Sequence, residues 1–260
     1  MEEPLFFPSE GFRLFGVLHL PEGQVRERAL LFCHPFAEEH KQGYRVFVEL
    51  ARRLASGGFP CLRFDYRGTG DSSGPFTDFS LAGAVRDIQA AAAYLVERSG
   101  CGRLGLIGLR LGASLAWRAV ENGLEADRLV LWQPVLDGKL FYRLNIRRSL
   151  VRQMLTSGKA AGVREDDDAA TVDLDGYVAS RELCEELQRL DLSGATLPAA
   201  RLLVMQFARS SEPVAELRPL VGSLREGDCF VSFPIEPFWN RLGYVDCSPA
   251  IEATAAWFDD

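Results

Sequence analysis

The chain has 260 residues, 47% of them hydrophobic and 25% charged, enough for one large domain with a substantial core. A formal net charge of −7 leaves no basic footprint, so nucleic acid is not an expected partner. No uninterrupted apolar run approaches the ~20 residues of a membrane span, and the Met-Glu-Glu-Pro start lacks the basic and apolar regions of a signal peptide, so a cytoplasmic location is expected.

Residues 12–20 alternate loosely and end at Pro21, an early antiparallel strand. Residues 29–33 are a compact apolar strand that runs into the loop His34-Pro35-Phe36-Ala37-Glu38-Glu39. Tyr44, Phe47, Leu50, Ala51 and Leu54 recur at helical spacing until Gly57-Gly58 stops them. A buried strand follows at 59–64, then the polar loop Asp65 to Ser72, and a long alanine-rich helix over 79–98. Residues 104–107 have the length and composition of a strand, and residues 109–117 read as a buried helix. A further strand falls at 128–132.

After Trp132 the pattern changes. Residues 138–197 read as a helical lid inserted in the core, with an acidic run at 165–168 that reads as a solvated face. Leu140, Phe141, Leu144 and Tyr177 are its candidate pocket-lining residues. The core, formed by 1–137 and 198–260, resumes with strands at 201–207 and 229–233. Ser248-Pro249 starts a final helix through Phe258. Strands alternating with helices imply an α/β fold, a mostly parallel central sheet flanked by helices, with function at the carboxyl ends of the strands.

The six cysteines form no Cys-x-x-Cys pair and read as reduced, mostly buried thiols. All three histidines, His19, His34 and His40, lie within the first 40 residues. With histidine so scarce, no metal site and no cofactor is expected.

The organising stretch is Gly108-Leu109-Arg110-Leu111-Gly112, between the 104–107 strand and the following helix. It has the strand–turn–helix frame of a nucleophile elbow, in which two glycines permit a sharp turn. Acyl-transfer chemistry needs a serine, cysteine or aspartate at the centre. Arg110 stands there instead, and a guanidinium stays protonated and cannot attack.

These residues resemble the α/β-hydrolase superfamily from end to end. Asp65-x-Arg67-Gly68-x-Gly70-x-Ser72 is similar to its loop after the fourth strand, and Gly108-x-Arg110-x-Gly112 occupies its elbow. More narrowly, Pro35-Phe36-Ala37-Glu38-Glu39, the elbow, Leu131-Trp132-Gln133-Pro134-Val135 and Pro237-Phe238-Trp239 resemble a bacterial family, the second type of exosortase-A-system-associated hydrolase. That family is found with exopolysaccharide and protein-sorting genes, and the elbow arginine is typical of it.

The resemblance implies a triad acid after the 201–207 strand, where Glu212 is a candidate, and a base histidine in the 234–247 loop, where none exists. It also makes the His34–His40 stretch the oxyanion-hole loop. Two of three triad roles are therefore vacant, which disfavours serine-triad chemistry. His34 reads either as an ordering residue of its loop or as a general base. Ser114 reads as core, and Trp132, Phe238 and Trp239 read as aromatic core or pocket wall.

Arg110 at a helix amino terminus adds to a macrodipole of roughly +0.5 charge, so an anion should lie within reach. Glu38 and Glu39 are the nearest carboxylates, able to bind a guanidinium bidentately. The pair is either a structural salt bridge or the gate of a pocket for an anionic or acyl ligand, with His34, Phe36, Leu111 and Trp239 as further lining. Two functions follow: a catalytically atypical or inactive binding protein in exopolysaccharide or envelope biosynthesis, or a genuine ester or thioester hydrolase with a non-standard constellation of Glu38, Glu39 and His34. A protein partner or homo-oligomer is compatible with either.

Overall fold

The computed structural model describes residues 1–157, 171–174, 176–241 and 243–259, so the acidic run at 165–168 lies outside the described residues. In chain order the strands are β1 (Glu2–Ser9), β2 (Phe12–His19), β3 (Arg28–Cys33), β4 (Cys61–Phe64), β5 (Arg103–Leu109) and β6 (Arg128–Trp132). They continue with β7 (Thr171–Leu174), β8 (Tyr177–Ser180), β9 (Arg201–Phe207) and β10 (Cys229–Phe233). The helices are α1 (Glu38–Ser56), α2 (Leu81–Ser99), α3 (Leu111–Glu121), α4 (Gly138–Ser157), α5 (Arg181–Arg189), α6 (Arg218–Gly222) and α7 (Ser248–Asp259).

Eight strands form one sheet in the order β1-β2-β4-β3-β5-β6-β9-β10, with β5 near its middle. The β1–β2 and β2–β4 pairings are antiparallel, and every other pairing in this sheet is parallel. Parallel strands joined by helical crossovers must carry helices on both faces, which is why their sequences are apolar at successive positions. The alternation of side chains then divides the core in two. Leu31, Leu106, Leu129 and Val204 pack with Ile88 and Leu95 of α2 and Trp117 of α3. Leu30, Ile107, Val130 and Met205 pack with Phe47 and Leu50 of α1 and Trp257 and Phe258 of α7.

Several boundaries differ from the sequence expectation for local reasons. The strand read at 59–64 begins only at Cys61, since Gly58 turns with φ 95° and Pro60 has no N–H to donate. The helix read from 79 begins at Leu81, where the Ser80 side chain accepts the Gly83 N–H as an N-cap. Leu109 belongs to β5, in register with Trp132 of β6, so the elbow helix starts at Leu111. β1 escaped the sequence reading. It pairs along its length with β2 through the tight turn at Glu10 and Gly11, both at positive φ. The insertion between β6 and β9 contains α4 and α5 and also a β7–β8 hairpin, where mainly helices were expected. Five of the six cysteines are buried, Cys229 is half-buried, and all are free. No helix among the described residues is long and apolar enough to cross a membrane.

One buried histidine makes the sheet sensitive to acid. His19 ends β2, is 1% exposed and accepts a hydrogen bond at Nε2 from Arg63 Nε of β4 at 3.0 Å. Burial, then the Arg63 charge, pushes its pKa down from 6.5 to about 4. The unfolded chain therefore binds this proton more readily than the folded one over that interval, and the stability due to neutral His19 is lost as pH falls. We expect a loss of about 3 kcal/mol from this group between pH 6.5 and pH 4, read by urea unfolding. The His19→Gln variant keeps an acceptor for Arg63 and should remove that part of the slope.

Candidate functional site at the elbow and its two cavities

Arg110 caps α3 with φ 56° and ψ −122°, a corner that L-residues rarely adopt and that stores roughly 1–3 kcal/mol of strain. The two flanking glycines are sterically required. A Cβ at Gly108 would lie 2.4 Å from Ala113 Cα, and one at Gly112 would lie 2.2 Å from the Cys33 carbonyl oxygen. The corner is pinned from both sides. The Arg110 N–H donates to the Trp132 carbonyl at 2.9 Å. Ser114, fully buried, donates its hydroxyl to the Val135 carbonyl at 2.6 Å and accepts the Val135 N–H at 3.1 Å. Ser114 is thus a strut between α3 and the segment that follows β6.

Ala37, at the start of α1, adopts the same corner, with φ 51° and ψ −123°. The two helices start from matching turns, one carrying Glu39 in its first turn and the other capped by Arg110. Arg110 Nε donates to Glu39 Oε1 at 3.3 Å, and Nη1 donates to the Gln133 carbonyl at 3.3 Å. Glu39 is 3% exposed, and its Oε2 has no hydrogen-bond partner among the described residues, so the contact is through one oxygen and not bidentate. Arg148 of α4 approaches Oε1 at 3.8 Å. Burial raises the Glu39 carboxyl above its usual range, opposed by Arg110 and then by Arg148. Glu38 turns away and pairs with Lys41 at 2.8 Å.

The guanidinium also lies 5.0 Å from the Trp239 ring centroid and 5.7 Å from that of Phe141. Trp239, in the loop after β10, thus covers the residue at the elbow from the segment where a triad would present its histidine. Glu212 is exposed. Its loop is held by buried Gln206, which donates to the Ser210 and Glu212 carbonyls and to Ser232 Oγ and accepts the Val214 N–H. A cavity of about 290 Å³ is lined by Arg110, Gln133, Leu140, Phe141, Leu144, Val214, Glu216 and Trp239, among others. Glu212 is not among its lining residues.

A second cavity, of about 300 Å³, is lined by His34, Phe36, His40, Lys41, Tyr66, Phe76, Phe79 and Tyr177, among others. Phe36 from this cavity meets Phe141 from the first, with ring centroids 6.2 Å apart. His34 is 2% exposed, stacks on Tyr44 and lies edge-on to His40 at 4.6 Å. Burial, then the His40 and Arg63 charges, holds His34 far below its ordinary pKa. His34 and Arg110 therefore serve different cavities. Leu111 is fully buried in the core beside α2 and lines neither.

Four contributors were not singled out from sequence: Gln133, Arg148, Glu216 and the Asp65–His40 contact at 3.4 Å. Gln133 carried a faint signal as the residue before Pro134. It sits at φ 45° and accepts the Phe207 N–H on its side chain. The histidines are scarce but not dispersed. His34 and His40 converge on Asp65, with one potential donor atom from each within 4.8 Å of the others.

The chain belongs to the alpha/beta hydrolase family, whose sequence model matches residues 30–252. It is 33% identical to human Protein ABHD12B over 109 residues, which cover 40% of this chain and 29% of that protein. It spans less than half the length of the curated relatives it matches. Two solved structures share the fold. The lidless a/b serine hydrolase XC6422 from Xanthomonas campestris has a TM-score of 0.66 at 19% identity, covering 99% of this chain and 94% of that one. Est1E from Butyrivibrio proteoclasticus, with ferulic acid bound, has a TM-score of 0.71 at 15% identity, covering 98% and 97%.

Removing Glu39 leaves Arg110 facing Arg148 with no carboxylate between them. We expect Glu39→Ala to destabilise the protein by about 3 kcal/mol. Arg110→Ala in the same background should restore part of the loss, with a coupling of at least ~1 kcal/mol in a double-mutant cycle. Additive losses in urea unfolding would mean that the pair contributes nothing as a pair.

Proposed function

We propose that this protein is a catalytically atypical binding member of the hydrolase family, taking a small ligand that carries an anionic head on an acyl or apolar tail. The observation that carries this reading is Arg110 itself, a fixed cation at the nucleophile position, paired with Glu39, covered by Trp239 and facing a largely apolar cavity. A guanidinium there cannot attack a carbonyl, yet it is well suited to hold a carboxylate. Arg110 and Arg148 share the Glu39 carboxylate, and Arg110 is the cation among the residues that line the cavity. Asp137 lines the same cavity but accepts the Leu140 N–H at the start of α4, and Glu216 is exposed. Leu140, Phe141, Leu144 and Val214 offer the tail an apolar wall.

In this reading residues 138–197 act as a lid over the ligand, and Glu39 opens or closes access to Arg110. The narrower resemblance to the exosortase-associated family supports a bacterial, cytoplasmic role in exopolysaccharide or envelope biosynthesis. One observation favours hydrolysis instead: burial raises the Glu39 carboxyl, and a carboxylate tuned upward suits a general base for water. A Pyrococcus furiosus esterase among the solved structures of this fold supports an ester as the substrate class for that second reading.

Calorimetric titration with straight-chain carboxylates separates the two. We expect saturable binding weakened about 10- to 100-fold by Arg110→Ala, the loss of one charge-assisted contact. We also expect no fluorophosphonate labelling, and no nitrophenyl-ester turnover in wild type or in Arg110→Ser, which gains a hydroxyl but no histidine. Wild-type turnover abolished by Glu39→Gln would establish the hydrolytic reading. Absence of carboxylate binding would reject the first.

A further inference from the structure

Away from Arg110, three side chains from three different segments meet beside the second cavity, which His34 and His40 line. His34 follows β3, His40 lies in the first turns of α1, and Asp65 follows β4. We propose that His34, His40 and Asp65 form a binding site for one divalent transition-metal ion of the zinc type, open on its cavity side to an oxygen-donor ligand.

The donor set is two imidazoles and one carboxylate, which suits zinc and its first-row neighbours and not the all-oxygen ions. Ligands about 2.1 Å from a tetrahedral ion stand roughly 3.4 Å apart. His40 Nε2 and Asp65 Oδ1 are already 3.4 Å apart, and all three donors lie within 4.8 Å of one another. A side-chain shift of at most ~1.4 Å would close the set around an ion.

The second observation is the state of the imidazoles. His34 is 2% exposed, yet neither of its ring nitrogens has a hydrogen-bond partner among the described residues, and His40 Nε2 has none there either. Buried polar atoms are ordinarily paired, so three unsatisfied nitrogens beside one carboxylate mark a group that is to be shared. Asp65 is prepared for it. Its Oδ2 accepts the Asp71 N–H at 3.1 Å, which fixes the carboxylate and directs Oδ1 to His40. Gly70 supplies the space, since a Cβ there would stand 2.1 Å from Oδ2. Lys41, which also lines the cavity, is paired with Glu38 at 2.8 Å. Phe36, Phe76, Phe79 and Tyr177 make the remaining wall apolar. A ligand with one oxygen-donor end and a small apolar body matches that lining.

The test uses the full chain, stripped with chelator, and titrates Zn²⁺ by calorimetry and Co²⁺ by its visible absorption. The expected result is one saturable site per chain. Affinity should fall at least ~100-fold in His40→Gln and in Asp65→Asn, more than the loss of a supporting contact would cause. Binding that is absent in wild type, or that persists unchanged in both variants because thiols hold the metal, overturns the proposal. Because these positions are buried or half-buried, anomalous scattering at the zinc edge from a wild-type crystal gives an answer independent of folding in the variants. A peak between the two imidazoles and Asp65 supports the site, and a peak only elsewhere, or none, rules it out.

Discussion

The ion pair between Arg110 and Glu39 is the interaction on which the cavity-bearing face of this protein depends. It joins the starts of α1 and α3 across the carboxyl edge of the sheet, at the point where β3 and β5 end. The cost of burying Glu39 is only partly met, since its Oε2 has no partner among the described residues and burial lifts its carboxyl. Arg110 is in turn held in a strained corner that glycines at 108 and 112 alone make possible. A strained, incompletely satisfied pair is a poor way to gain stability, because a well-packed apolar pair often does as well. Such an arrangement is more useful where a charged group must stay available to a ligand.

The consequence is a division of the pocket region. Phe36 and Phe141 touch where two cavities of similar volume meet. One cavity has Arg110, Trp239 and the start of α4. The other has His34, His40 and the hairpin residue Tyr177, with Asp65 beside His40. A serine hydrolase concentrates nucleophile, base and acid at one place. Here the cation and the histidines line separate spaces, and the residues at the elbow and in the 234–247 loop are an arginine and a tryptophan. The insertion between β6 and β9 supplies residues to both spaces, through Phe141 on one side and Tyr177 on the other.

The parallel sheet was legible because its strands are buried on both faces and read as short apolar runs set between helical periodicities. The elbow was legible because its two glycines have no steric substitute. The Glu39 pairing followed from electrostatics, since a cation at a helix amino terminus needs an anion. Choosing Glu39 over Glu38 needs the helical phase: the first turn of α1 sends Glu39 inward, while Glu38 faces Lys41. β1 was missed because its inner face is covered only in part, leaving a mixed pattern with Phe6 exposed. The β7–β8 hairpin is two short four-residue strands, too brief for alternation to register. The meeting of His34, His40 and Asp65 was invisible because Asp65 comes from a separate strand end, and only the sheet order brings it there.

The most direct measurement of the central claim is a crystal structure grown with octanoate, a straight-chain carboxylate that fits a cavity of about 290 Å³. The carboxylate should lie on the Arg110 guanidinium, near or in exchange with Glu39, and the tail should run along Leu140, Leu144 and Trp239. An empty cavity at saturating octanoate, with Arg110 turned into solvent away from Glu39, would contradict it.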